Sequence, residues 1–386
     1  MGRAIRIGQQ TVFLACALLV GCSSGDIDDA PAPLDDAGAE TSIPADSGGD
    51  SVAPDDTATL ETSGDAGVDA PVAPPSVRLV GRFTTKNEFA WSGSQMIARF
   101  DGTGARVKLT AAANEHFQIV VDGKPTSVLK PSSGSMTYTV ATGLPPGVHE
   151  VVVWRRTEAF FGTATYEGFE LDGTLLSPTP VDRRIETIGD SITCGYGDEG
   201  TSASCPFSAD TENHFLTYGA IAARALKADV VATCWSGLGM YRNYDAATTG
   251  TMPERYPRTL PQTSGSTWDF SRYVPQVVVI NLGTNDFAKG DPGAPYQNAY
   301  LTFVRQVRKN HPSAHLLAII PVTGAKKYID AVVATLSGEG DKNVSSLTLS
   351  AVTSADGWGC DYHPTVITHA RWGKELETAI RARTGW

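Results

Sequence analysis

A change of hydrophobic period near residue 184 restricts what this chain can fold into more than any other feature. From Val77 to about Pro180, short runs alternate apolar and polar residues: Met96 to Phe100, Ala105 to Thr110, Phe117 to Val121 and Val148 to Trp154. Asp101-Gly102, Asp122-Gly123 and Pro145-Pro-Gly147 punctuate them as turns, and no helix-period segment of useful length intervenes. That pattern predicts an antiparallel β-sandwich. After residue 184, apolar runs (Ile185 to Asp190, Ala228 to Trp235, Gln276 to Leu282, Ala314 to Ile320, Ser346 to Val352) alternate with helical stretches (Glu212 to Leu226, Tyr296 to Asn310, Lys326 to Leu336, Thr365 to Arg383). Such alternation predicts an α/β domain with a doubly wound parallel sheet, whose ligands bind at the carboxyl edge of the strands.

Polar residues collect at that edge. The first apolar run stops at Gly189-Asp190-Ser191 and gives way to glycines, presenting a serine at a strand end. A hydroxyl is a weak nucleophile at neutral pH, so it needs a base and donors for the charge that it creates on a carbonyl oxygen. The third run of this domain ends in Gly283-Thr-Asn285-Asp286, and Cys360-Asp361-Tyr362-His363-Pro364 follows the last. Gly-Asp-Ser alone would read equally well as a strand followed by a capping serine. Asn285 alone would read as a turn residue, and any one of seven histidines as packing or surface. Three such sites in this order and local context favour a serine hydrolase. Asp190 reads as structural, His369 as packing within a helix, and His214 as lacking a partner that would mark it as a base.

These motifs resemble the SGNH hydrolase superfamily, and most closely carbohydrate esterase family 2. The resemblance rests on Gly189-Asp-Ser-Ile-Thr-Cys-Gly-Tyr-Gly197, Trp235-Ser-Gly-Leu-Gly-Met-Tyr-Arg-Asn-Tyr244, Trp268-Asp-Phe-Ser271, Asn281-Leu-Gly-Thr-Asn-Asp-Phe287 and Asp361-Tyr-His-Pro364. It implies an N-terminal jelly-roll domain over 77–180 and an SGNH catalytic domain over 181–386. It also implies Ser191 as nucleophile, His363 as base, and Gly237 and Asn285 as oxyanion donors beside the Ser191 N–H. The expected reaction is removal of O-acetyl groups from carbohydrate such as acetylated xylan or glucomannan, with no metal or organic cofactor. A different SGNH esterase, lipase or thioesterase would share the same residues, and a non-catalytic carbohydrate-binding lipoprotein is the alternative from another class.

One position departs from the superfamily pattern. Many relatives carry Asp three residues before the histidine, where this chain has Cys360, while Asp361 stands two before. Either the Asp361 carboxylate orients the imidazole, which is the reading adopted, or a backbone carbonyl near 358–360 does so and the unit is a dyad. Trp358, between two glycines just before His363, suits stacking on a sugar ring, whereas Trp372 reads as core.

The chain opens with Arg3 and Arg6 ahead of a short apolar stretch, Thr11 to Val20, too short to span a bilayer and shaped like an export signal over 1–21. Leu19-Val20-Gly21-Cys22 resembles a bacterial lipobox, which implies acylation of Cys22 and a lipoprotein at the outer membrane or cell surface, held to its membrane only by the lipid. Residues 22–76 read as a disordered acidic tether rich in Asp, Ala and Pro. Residues 23–76 carry thirteen acidic and no basic side chains, so the net charge of −11 belongs to the tether, and 77 onward holds 29 of each sign. A folded part of balanced charge excludes a broad nucleic-acid surface. Cys194, Cys205, Cys234 and Cys360 remain for disulfides, with three pairings open; Cys194 with Cys205 and Cys234 with Cys360 are favoured. Metal ligation is disfavoured because no C-x-x-C pair occurs.

Overall fold

The computed structural model describes residues 74–386, so the signal-like segment, Cys22 and the tether up to residue 73 lie outside the described residues. Eight antiparallel strands come first: β1 (Arg78–Val80), β2 (Glu88–Phe89), β3 (Gln95–Ala111), β4 (Phe117–Val121), β5 (Lys124–Leu129), β6 (Gly134–Ala141), β7 (Gly147–Arg155) and β8 (Ala164–Leu175). Strand β3 organises them. Along one edge it pairs with β7 and then β6, and along the other with β1 and then β8. Phe89, Met96, Phe100, Leu109, Phe117, Val151 and Val153 fill a common core.

The expected turn at Asp101-Gly102 is overturned, because β3 runs through it as one strand of 17 residues. Gly102 pairs with Gly173 of β8, and a Cβ on Gly102 would lie 2.3 Å from the Asp172 oxygen. The glycine serves close approach of two backbones rather than reversal of the chain. Asp122 and Gly123, by contrast, both have positive φ (50° and 74°) and form the tight turn between β4 and β5.

The remainder is a parallel sheet of β9 (Arg184–Gly189), β10 (Asp229–Cys234), β11 (Val277–Asn281), β12 (His315–Ile319) and β13 (Val344–Leu347), in the order β10-β9-β11-β12-β13. The helices are α1 (Ser191–Cys194), α2 (Tyr218–Ala225), α3 (Met252–Arg255), α4 (Thr284–Phe287), α5 (Ala294–Asn310), α6 (Lys326–Gly338) and α7 (Val366–Thr384). Strand residues alternate between faces, which explains the continuous apolar run of β11. Val277 and Val279 pack in a core with α2 and α7, while Val278 and Ile280 pack in another with α5 and α6.

Two boundaries differ from expectation. The last strand is 344–347 rather than 346–352, and the helix expected over 212–226 begins only at Tyr218. Asn213 caps a single tight turn at His214–Leu216, and Glu212 is drawn into a buried contact described below. The antiparallel and parallel sheets meet in a shared seam. Val120 and Trp154 belong to one core with Phe215 and Tyr218, Trp91 joins the core around β11, and Trp154 donates its indole N–H to His214 Nδ1 at 3.2 Å.

Candidate active site

The order of the parallel sheet reverses direction between β9, which leads to β10 on one side, and β11 on the other, and this is where such sheets open a crevice. Ser191, Gly237 and Asn285 follow the carboxyl ends of β9, β10 and β11 in turn. The turn into α1 is tight. A Cβ on Gly189 would come within 2.0 Å of Thr193 Oγ1, so only glycine lets the strand end there. Asp190 caps α1 by accepting the Ile192 N–H at 3.1 Å, which leaves Ser191 as the first helical residue.

His363 arrives from the segment before α7, and its Nε2 lies 2.8 Å from Ser191 Oγ. Its Nδ1 faces two main-chain oxygens, of Cys360 at 3.2 Å and Asp361 at 3.1 Å. The ring therefore donates from Nδ1 and presents the Nε2 lone pair to the serine. Burial pushes the imidazole down to about 4, against those carbonyls and the Asp361 charge, which pull the other way.

Here the carboxylate reading of Asp361 is corrected. Its Oδ2 accepts the Tyr196 hydroxyl at 2.9 Å and makes no hydrogen bond to the imidazole, so the groups that hold the ring are main-chain oxygens and the arrangement is a Ser-His dyad. Consecutive left-handed residues, Asp361 (φ 51°) and Tyr362 (φ 59°), aim the carbonyls at the ring. Tyr196 lies against the imidazole, 4.4 Å between centroids, and is itself stacked on Phe207.

The favoured disulfide pairing is also corrected: Cys194 bonds Cys234, and Cys205 bonds Cys360. The parallel sheet explains it. Strands β9 and β10 are neighbours, so α1 and the end of β10 lie side by side, and the Cys205 loop instead reaches the segment carrying His363.

Gly237 has φ of 80° with nothing within 4 Å of where a Cβ would stand. Among the described residues, no acceptor takes the N–H of Gly237 or of Ser191. Asn285, almost fully buried, donates from Nδ2 to the Leu238 oxygen at 2.8 Å and, at a longer 3.4 Å, to Asp190 Oδ2, which together fix the plane of its amide. Two free N–H groups and one fixed amide beside a hydroxyl make a site able to hold a tetrahedral oxyanion. Trp358 is half-buried, and its ring lies 6.3 Å from that of exposed Tyr362.

Three supporting residues had no role legible in the sequence, although Asp286 and Tyr196 stand inside the motifs quoted above. Asp286 accepts the N–H groups of Met240, Tyr241 and Arg242 at 2.7–2.9 Å and so shapes the loop after β10. Burial, with Asp286 nearby, pushes Asp190 up to about 7. Tyr196 and Glu158 are the others. His369 is buried against Tyr218, whose N–H it accepts at 3.2 Å.

Comparison with known proteins adds the following. Residues 79–180 match the family model "Carbohydrate esterase 2 N-terminal", and 187–371 match "GDSL-like Lipase/Acylhydrolase family". The chain is 39% identical over 326 residues to "Cellulase/esterase CelE" of Acetivibrio thermocellus, covering 81% of this chain but only 40% of that one. It is 30% identical over 321 residues to an "Acetylxylan esterase / glucomannan deacetylase" of Cellvibrio japonicus, covering 77% of this chain and 86% of that protein. A solved family two carbohydrate esterase from Clostridium thermocellum, in complex with cellohexaose, is similar at 39% identity with a TM-score of 0.77, over 81% of this chain and all of that one.

Proposed function

Since this chain belongs to carbohydrate esterase family 2, we propose that it hydrolyses O-acetyl esters of carbohydrate through an acetyl-enzyme on Ser191. The observation that carries this is the 2.8 Å approach of His363 Nε2 to Ser191 Oγ at the reversal point of the sheet. Ser191 Oγ attacks the acetyl carbonyl as His363 Nε2 takes its proton. The tetrahedral oxyanion is held by the N–H groups of Ser191 and Gly237 and the Asn285 amide. On collapse, the imidazolium protonates the departing sugar oxygen, leaving acetate esterified to Ser191. Water then attacks this ester, giving its proton to His363, and on the second collapse the imidazolium returns that proton to Ser191 Oγ as acetate leaves. While charged, the ring is steadied by the carbonyl dipoles of Cys360 and Asp361, with the Asp361 charge near.

Trp358 and Tyr362 are the proposed platform for a sugar ring, and acetylated xylan and glucomannan are the proposed polymers, by likeness to the Cellvibrio japonicus relative. We further propose export and acylation at Cys22, with 22–76 as a spacer between membrane and enzyme; the apolar stretch ending in Leu-Val-Gly-Cys supports it. No helix among the described residues is long and apolar enough to cross a membrane.

The test is acetate release from acetylated xylan and glucomannan by wild type and Ser191→Ala, alongside 4-nitrophenyl esters of rising chain length. Acetate release abolished by the substitution, with little turnover of long chains, is the expected result. Release that survives Ser191→Ala ends the mechanism, and a preference for long chains ends the acetylesterase reading.

A further inference from the structure

The loop after β10 is anchored from outside its own domain. We propose that Glu158, carried by the antiparallel domain just after β7, is a positioning residue for the oxyanion site: it grips Ser236 and so fixes the peptide whose N–H belongs to Gly237. Glu158 is fully buried. Its Oε2 accepts the Ser236 N–H at 2.7 Å and its Oε1 accepts the Ser236 hydroxyl. In the peptide unit that follows, the Gly237 oxygen accepts the Tyr244 N–H at 2.8 Å. Among the described residues, the N–H groups of 235, 236, 238 and 239 all find acceptors and that of Gly237 does not, and φ of 80° at Gly237 is the conformation that leaves it there.

Glu158 is in turn held by groups that the mechanism does not otherwise use. Its N–H donates to Glu212 Oε2 at 3.1 Å, and its carbonyl accepts from Arg155 Nη2 at 3.2 Å. Arg155 is buried against Glu115, with Nη1 2.6 Å from Oε1. The Glu158 and Glu212 carboxyl oxygens and Cys194 Sγ lie within 4.8 Å of one another. The sulfur is committed to Cys234 and offers no thiolate, so the cluster is a pair of acids beside a disulfide. Two buried carboxyls this close cannot both be charged. Burial raises both, and Glu158, whose two oxygens accept the N–H and hydroxyl of Ser236, is the one placed to carry the charge. The antiparallel domain thereby supplies part of the catalytic geometry.

The inference rests on the esterase reading for the role of Gly237, and two measurements keep the two separable. The first is turnover of 4-nitrophenyl acetate by wild type, Glu158→Ala, Glu158→Gln and Ser236→Ala. The second is amide hydrogen exchange in 235–243. Removing an oxyanion donor outright costs on the order of 10²–10³ in turnover. Misplacing one by Glu158→Ala should lower kcat by about 10–10²-fold with KM nearly unchanged, and speed exchange in 235–243 while the β9 and β11 amides keep their protection. Glu158→Gln, which retains one acceptor, should recover part of the loss. The double variant of Glu158→Ala with Ser236→Ala should be little worse than Glu158→Ala alone. A kcat within about twofold of wild type in Glu158→Ala overturns the proposal, as does unchanged exchange in 235–243 or a loss spread over the whole protein. A wild type without acetylesterase activity sinks the family reading instead, and the exchange result still decides whether Glu158 holds the loop.

Discussion

At His363, main-chain oxygen steers the ring, and this has a mutational signature. Replacing an orienting carboxylate by its amide typically costs about 10⁴ in kcat. Asp361→Asn should instead stay within about tenfold of wild type, because asparagine tolerates the left-handed backbone and can still accept from Tyr196. Ser191→Ala and His363→Ala should each lose at least about 10⁴; steady-state kinetics on one acetyl ester compares all three. A second expectation concerns pH. The ring works as a base only when neutral, and its value near 4 means that it is neutral from pH 7 down to about 5. The acid limb of kcat/KM should therefore fall near pH 4, well below the 6.5 of an ordinary histidine, in a profile on a neutral aryl acetate. That Ser191 and His363 meet was legible in the sequence, the serine from a motif at a strand end and the histidine from a motif just ahead of the last helix. The orienter was not, because sequence separation says nothing about whether a carbonyl or a carboxylate turns inward. Here two positive φ angles at ordinary residues decide it, and no pattern announces them.

Among elements, the loop after β10 carries the most constraint. Gly237 and Gly239 look alike in the string Trp235-Ser-Gly-Leu-Gly, yet their surroundings differ. A Cβ at Gly239 would sit 1.9 Å from the Arg242 oxygen and 2.7 Å from Asp286 Oδ2, while at Gly237 it would meet nothing. Gly239→Ala should unseat the loop and remove most activity. Gly237→Ala should cost roughly 1–2 kcal/mol of backbone strain at its positive φ and leave the loop seated, which urea denaturation and kcat together will distinguish. The disulfides act at this scale too. Cys205 is partly exposed, whereas Cys194 and Cys234 are buried. Dithiothreitol should open Cys205–Cys360 first, and activity should fall with it because Cys360 also supplies a carbonyl to His363. Mass-spectrometric thiol trapping orders the two events. The elements of the parallel sheet were readable from apolar runs, but the pairing of the cysteines was not. It depends on which strands are neighbours, and order along the chain does not give that.

Across the whole molecule, the seam between the two sheets holds a buried charge cluster. Arg82, in the segment between β1 and β2, donates to Glu186 of β9 at 2.8 Å, and Glu186 also receives His311 and the Tyr256 hydroxyl, each at 3.1 Å. Aromatic rings of Trp91, Tyr256, Trp268 and Phe270 surround the guanidinium. Burial works against the charge on Glu186, but His311 and Arg82 outweigh it and hold the carboxyl below its ordinary 4.5. A carboxyl held low contributes stability that is complete above its unfolded value and is lost as pH falls through the folded one. Glu186→Gln, which strands Arg82, should cost about 3–5 kcal/mol at pH 7, and the gap to wild type should narrow as pH drops below about 4; guanidinium melts at both pH values check this. The two-part architecture was plain from the change of period, but the depth of the seam was not, since Arg82, Trp154 and Glu158 carry no pattern that marks them as belonging to a neighbour. Exchanging halves between members of this family would test that depth from another side. A chimera joined near residue 180 inherits Arg82 and Glu158 from one parent and Glu186 and Ser236 from the other, so its success depends on whether those matched sets were transplanted together.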